Sequence, residues 1–126
     1  MLKRFSFILF AFLLPTGLYC QGDYDVIISA RALIASGNPS QAESVLTSAI
    51  NTKASDLIYR ERAEVRMIKG NMTGAISDFI SSNTLLQYSG EYGLERVYAR
   101  QGNAAEAVKH LVEAIQLLYR RFLRTS

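Results

Sequence analysis

Tryptophan is missing from this 126-residue chain, which also has only two prolines, one cysteine and one histidine. Each shortage excludes something. Pro15 and Pro39 leave nearly the whole chain free of the residue that breaks helices by removing a backbone donor and clashing with the preceding turn. The lone Cys20 allows no intrachain disulfide and no cysteine-based metal site, so an exported form would be held together by packing alone. His110 has no cysteine partner, which argues against a transition-metal site; it is expected at the solvated edge of a helix, not as a ligand or base. An excess of one charge is also lacking. The formal charge is +3, but Lys3 and Arg4 sit at the extreme N-terminus, and without them 12 basic residues face 11 acids. A nucleic-acid binder would show a clustered basic excess. The one local excess is Arg120, Arg121 and Arg124, which suit a helix C-terminus, the alternative being contact with an acidic surface or membrane.

Chemistry is equally sparse. No serine stands in a nucleophile-elbow sequence. Glu61 and Glu64 alternate with Arg60 and Arg62, and local ion pairing is expected of them before acid–base work. No Gly-Lys-Ser/Thr follows any glycine turn, so no phosphate-binding loop is present. The chain is expected to be no enzyme and to use no cofactor and no metal.

What is there begins with a leader. Residues 1–20 have a basic start at Lys3 and Arg4, an apolar stretch from Phe5 to Leu14, and a break at Pro15, Thr16 and Gly17. That is the layout of a secretory signal, and the apolar stretch falls short of the ~20 residues that span a bilayer. A cleaved signal and a periplasmic or secreted location are expected, the alternative being a retained anchor. Cys20 raises lipidation, and membrane contact is expected only in that case; the bulky Tyr19 before it speaks against this.

The body of the chain repeats. Gly37-Asn38, Gly70-Asn71 and Gly102-Asn103 are each followed by an alanine at a fixed offset, Ala42, Ala75 and Ala107. Glycine ends a helix in the left-handed conformation, asparagine favours the turn and caps the next helix, and a small alanine lets two helices approach. Helical periodicity flanks each turn. Val45, Leu46, Ala49 and Ile50 form one stripe, Ile76, Phe79 and Ile80 another, and Val108, Leu111, Ala114, Ile115 and Leu118 a third. Helices are expected at 23–36, 39–52, 56–69, 72–87, 91–101 and 104–122, with Ser55 or Asp56 as an N-cap and Gly90 ending a helix. No alternating stretch argues for strands, so the fold class is all-α.

These residues resemble the tetratricopeptide repeat, a helix-turn-helix unit with small residues where its helices cross. The segment from Ile58 to Phe79 carries the resemblance best, with Tyr59, Ala63, Gly70-Asn71, Ala75 and Phe79 at signature positions. Tyr98, Gly102, Ala107 and Ala114 match in the third copy, and Ala30, Gly37, Ala42 and Ala49 in the first. Glu95 and Ser82 depart from small positions of the pattern, and the closing proline is absent. The resemblance implies a right-handed α-solenoid of about three repeats over 23–122 (23–55, 56–88 and 89–122), a tail at 123–126 and a continuous core. It implies binding of a protein partner, a peptide or helix, in a concave groove formed by the first helix of each pair. Arg31, Ile34, Arg60, Glu64, Met67, Arg96 and Arg100 would face that groove, where the arginines would favour an acidic peptide or a terminal carboxylate; the alternative is that they are ordinary solvated positions. Such an adaptor would work in a bacterial envelope or secreted space. The alternative is a helical ligand carrier or small enzyme whose site the sequence hides. Leu117, Leu118, Phe122 and Leu123 near the end suggest self-association or partner docking through the last helix, the alternative being that they fold back onto the third copy.

Overall fold

A computed structural model of the chain describes residues 22–125. The leader, with its questions of cleavage and lipidation at Cys20, lies outside the described residues. Within them the chain forms six helices and no strand: α1 (Asp23–Ala35), α2 (Pro39–Thr52), α3 (Asp56–Ile68), α4 (Met72–Leu85), α5 (Glu91–Arg100) and α6 (Ala104–Thr125). Every helix starts where the sequence places it. No helix among the described residues is long and apolar enough to cross a membrane.

The three Gly-Asn turns share one backbone solution. Gly37, Gly70 and Gly102 have φ of 82°, 80° and 74°, the left-handed region in which a side chain would be strained. Each glycine N–H donates to a carbonyl three residues back, and each following asparagine N–H to one five back: Gly70 to Met67 and Asn71 to Arg66, for example. These paired bonds satisfy the last carbonyls of the helix. The asparagine carbonyl then accepts the N–H of Ala42, Ala75 or Ala107, which fixes the offset seen in the sequence. Asn71 and Asn103 also cap with their side chains, accepting from Gly74 and Glu106. Asn38 does not. Its amide donates instead to Ser36, a hydroxyl found only at the first turn, while Pro39 presets the helix start. Ser55 caps α3 by accepting from Ile58.

The fourth connection is irregular. α4 ends at Leu85, and Gly90 does not terminate it but precedes α5. The left-handed residue of this loop is Tyr88, at φ 66°. Gly90 is glycine because of crowding: a Cβ there would lie 2.1 Å from the Phe79 carbonyl oxygen. Gly93 is similarly pressed, its Cβ position 2.1 Å from the Phe79 ring. Glu95, in register with the buried Ala30 and Ala63, is itself only partly buried.

Each helix packs against the next in the chain, and α3 also touches both α1 and α5. The buried apolar residues form two clusters, not the single continuous core expected. Val26, Ala30, Ala42, Leu46, Ile58 and Val65 make one; Ala63, Met67, Ala75, Phe79, Leu94 and Val97 make the other. α3 serves both, showing Ile58 and Val65 to the first and Ala63 and Met67 to the second. Its neighbour α4 buries Asp78 almost completely. Arg62 holds that carboxylate with two hydrogen bonds of 2.9 and 2.7 Å, and Arg66 adds an ion pair at 3.0 Å. A buried carboxylate is tolerable only when so paired. Ser82 is buried too, and its hydroxyl donates to the Asp56 carbonyl, so the polar atom that replaces an alanine is satisfied.

Candidate functional site

α1, α3 and α5, the first helices of the three pairs, enclose a hollow of about 300 Å³ lined by Tyr24, Arg31, Arg60, Glu61, Glu64 and Tyr92 among others. Of the residues assigned to a groove from sequence, Arg31, Arg60 and Glu64 line it. Arg96 reaches it through Glu64. Ile34 instead packs on the first core cluster. Met67 is a correction: it is 3 % exposed and lies in the second cluster. It shares a helical phase with Arg60 and Glu64, but near the end of α3 that phase runs under α5, beside Leu94 and Val97. Arg100 is exposed and, among the described residues, has no ion pair.

The groove arginines are not an open ladder. Arg31 donates from Nε and Nη2 to both carboxylate oxygens of Glu61, at 2.7 and 2.9 Å. This two-pronged bond raises the Arg31 pKa above its ordinary value. Arg96 Nη1 donates to Glu64 Oε1 at 2.6 Å, and its guanidinium lies over the Tyr92 ring. The glutamates of α3 thus pair across to α1 and α5, not with Arg60 and Arg62 on their own helix as the sequence suggests. Glu61 points about 100° away from Arg60 and Arg62, its sequence neighbours, and so turns to Arg31; Glu64 shares a face with Arg60 but is taken by Arg96 from α5.

Arg60 is the exception. Its Nε is buried and has no hydrogen-bond partner among the described residues. It borders both the groove and a second hollow of about 380 Å³, shared with Tyr88, Leu117 and Arg121. Tyr24 and Tyr92, 71 % and 65 % exposed, stand at the groove's two sides. The site therefore holds two matched arginine–glutamate pairs, tyrosines at its margins, and one further cation, Arg60, whose Nε lacks an acceptor among the described residues.

No family model, curated protein or solved structure matches the chain. The site must be read from its own geometry.

A second polar cluster lies between α5 and α6. Glu91 is buried; one of its oxygens accepts from the Asn83 amide at 2.6 Å and the other meets His110 Nδ1 at 2.5 Å. His110 stacks on Tyr98 with ring centroids 5.4 Å apart. It is therefore half-buried and engaged, not at a solvated edge. Glu113 brings a third ligand-type atom, all three lying within 4.8 Å of one another. Both Glu91 oxygens already have partners inside the chain, and the cluster's evident work is to bind α5 to α6.

Sequence reasoning missed Glu61, Tyr24 and Tyr92 as groove residues. A signal was available for the first. Arg31–Glu61 and Glu64–Arg96 are separated by 30 and 32 residues, close to the spacing of the Gly-Asn turns. Opposite charges one repeat apart on first helices are candidates for a cross-helix pair. The exposed tyrosines carried no such mark.

Proposed function

We propose that this chain is a non-enzymatic protein-interaction module of the tetratricopeptide type, a right-handed α-solenoid of three helix pairs working outside the cytoplasm. Its groove between α1, α3 and α5 receives an extended segment of a partner. The three matching Gly-Asn turns, the buried alanines after them, and the α1–α3–α5 contacts support the scaffold part of this reading. One observation carries the binding part: Arg60, whose buried Nε has no acceptor among the described residues, lines the groove together with two exposed tyrosines.

The chemistry this selects is narrower than a basic groove would suggest. Arg31 and Arg96 are already engaged by Glu61 and Glu64. With those two pairs neutralised, the groove offers further acids no second free cation beside Arg60 among the described residues. A single carboxylate entering the groove, from a side chain or a C-terminus, meets the Arg60 guanidinium, and apolar neighbours on the ligand rest against Tyr24 and Tyr92.

The test is affinity capture by the full chain, with Arg60→Gln as the comparison, followed by titration of peptides from the captured partner. Wild type should bind a peptide with one carboxylate, and Arg60→Gln should weaken it roughly 10-fold or more, the worth of a charged hydrogen bond. A captured partner whose affinity is indifferent to Arg60→Gln would sink the groove assignment. A co-purifying small molecule in place of a protein would favour a ligand carrier or enzyme.

A further inference from the structure

Three acids are buried among the described residues, and two of them have a permanent cation. Glu61 is held by Arg31, and Asp78 by Arg62 and Arg66. Glu91 has neither a lysine nor an arginine. Its partners are the Asn83 amide and the His110 imidazole. Its place in the first turn of α5 adds roughly half a positive charge from the helix dipole, not a whole one. Burying a carboxylate on those terms is costly. Glu113 enlarges the shortfall. It is half-buried, brings an oxygen within 4.8 Å of the Glu91 and His110 ligand atoms, and has no hydrogen bond or ion pair among the described residues. Glu106, the other acid beside His110, lies 3.8 Å from Nε2 and has Lys109 at 3.5 Å. Two carboxylates, Glu91 and Glu113, thus converge on one imidazole with no lysine or arginine between them.

The donors say which cation fits. One imidazole nitrogen with two carboxylate oxygens suits zinc and its first-row neighbours, whereas magnesium and calcium take oxygen ligands. His110 and Glu113 stand three residues apart on one face of α6, and Glu91 approaches from α5. His110 has no cysteine partner in the sequence; the fold supplies carboxylates in its place. We propose that Glu91, His110 and Glu113 bind one divalent transition-metal ion of the zinc class between α5 and α6. Nδ1 of His110 is the ligand. The proton between Nδ1 and Glu91 leaves to solvent or to Nε2, and Nε2–H then faces the Glu106 carboxylate, which orients the ring. A tetrahedral ion at about 2.0–2.2 Å from each ligand sets them about 3.4 Å apart. The Nδ1–Oε2 pair, at 2.5 Å, opens by about 1 Å, and Glu113 swings in. Three protein ligands leave a fourth position to water. The ion reinforces the clasp between α5 and α6. None of its ligands lines the α1–α3–α5 groove, so the proposal is independent of the reading above.

Calorimetric titration of the untagged full chain with zinc chloride is the test, after chelator treatment and with Cys20→Ser removing its one thiol. It should give one ion per chain. Zinc at 100-fold above its Kd should raise Tm by about 5 °C or more. Glu113→Gln should leave circular dichroism unchanged, because this side chain has no partner in the fold, and should weaken zinc binding about 10-fold or more. Asp25→Asn, at an exposed acid on α1, should change nothing. The chain holds one histidine, so long-range proton–nitrogen NMR reads its two ring nitrogens singly. Zinc should shift Nδ1 and leave a proton on Nε2. Absence of saturable zinc binding overturns the proposal, as does binding that Glu113→Gln does not weaken or that leaves the His110 ring signals unmoved. Zinc carried on Nε2 overturns the donor assignment. Magnesium or calcium binding as tightly as zinc would mean an acidic surface without a role for the imidazole, which also defeats the proposal.

Discussion

α4 and α6 leave the same kind of turn and begin with the same buried alanine, yet they end in opposite environments. α4 lies against α3 on one side and α5 on the other, and it buries Ala75, Asp78, Phe79 and Ser82. Among the described residues α6 lies against α5 alone and buries only Ala107. An apolar stripe marks both helices in the sequence, although Ile80 of the α4 stripe is half exposed. The difference shows what an apolar stripe states. It names the face that gains from cover, and it is silent on whether the chain itself provides the cover. On α6 the described residues cover only the side that faces α5.

The contrast can be broken most directly by shortening one large side chain on each helix. Phe79→Ala on α4 should cost about 4 kcal/mol by leaving a cavity under Gly90 and Gly93. Leu118→Ala on α6 should cost about 0.5 kcal/mol or less in dilute monomer. Urea denaturation of the two variants at low protein concentration makes the comparison, and equal losses would mean that α6 is packed after all. A second variant asks whether α4 depends as much on its buried charge. Arg62→Met leaves the Asp78 carboxylate with Arg66 alone and should cost about 3 kcal/mol. Hydrogen exchange should show the loss concentrated in α3 and α4.

The smallest effect sharpens the comparison at the seam of α2 with α3. Lys69, and with it Arg66, holds the Glu43 carboxyl below its ordinary pKa of 4.5. A lowered folded-state pKa contributes stability that is present above the ordinary value and is lost as pH falls through the folded one. Glu43→Gln should therefore be less stable than wild type by about 1 kcal/mol at neutral pH, with the gap closing below pH 4.5. Thermal melts of both proteins across that range check it.

Helix starts, turn glycines and the alanine offset were legible because each is decided within a few residues. A helix stops where Gly70 can turn left-handed, and it restarts where Asn71 can cap. The cross-helix features were not legible in the same way. Gly90 and Gly93 read as ordinary turn and helix residues until Phe79, more than ten positions earlier, is placed against both. Glu61 and Glu64 read as partners of their sequence neighbours because the competing arginines, Arg31 and Arg96, lie on other helices. His110 read as a surface residue because Glu91 and Asn83, which engage it or its partner, come from elements before it. Met67 had the right phase for the groove and the wrong height along α3. In each case the missing quantity was the identity of the neighbour, which local periodicity does not contain.

The pairing of each helix with its successor has a consequence for how the chain comes together. Most interhelical contacts are made between segments adjacent in sequence, and the longer connections are those of α3 to α1 and α5. Little loop entropy has to be surrendered before a contact repays it, which places the chain among proteins that fold in microseconds to milliseconds. A helix pair can dock as soon as its second member exists. A segment emerging N-terminus first is therefore assembled pair by pair, each pair docking on the one before it.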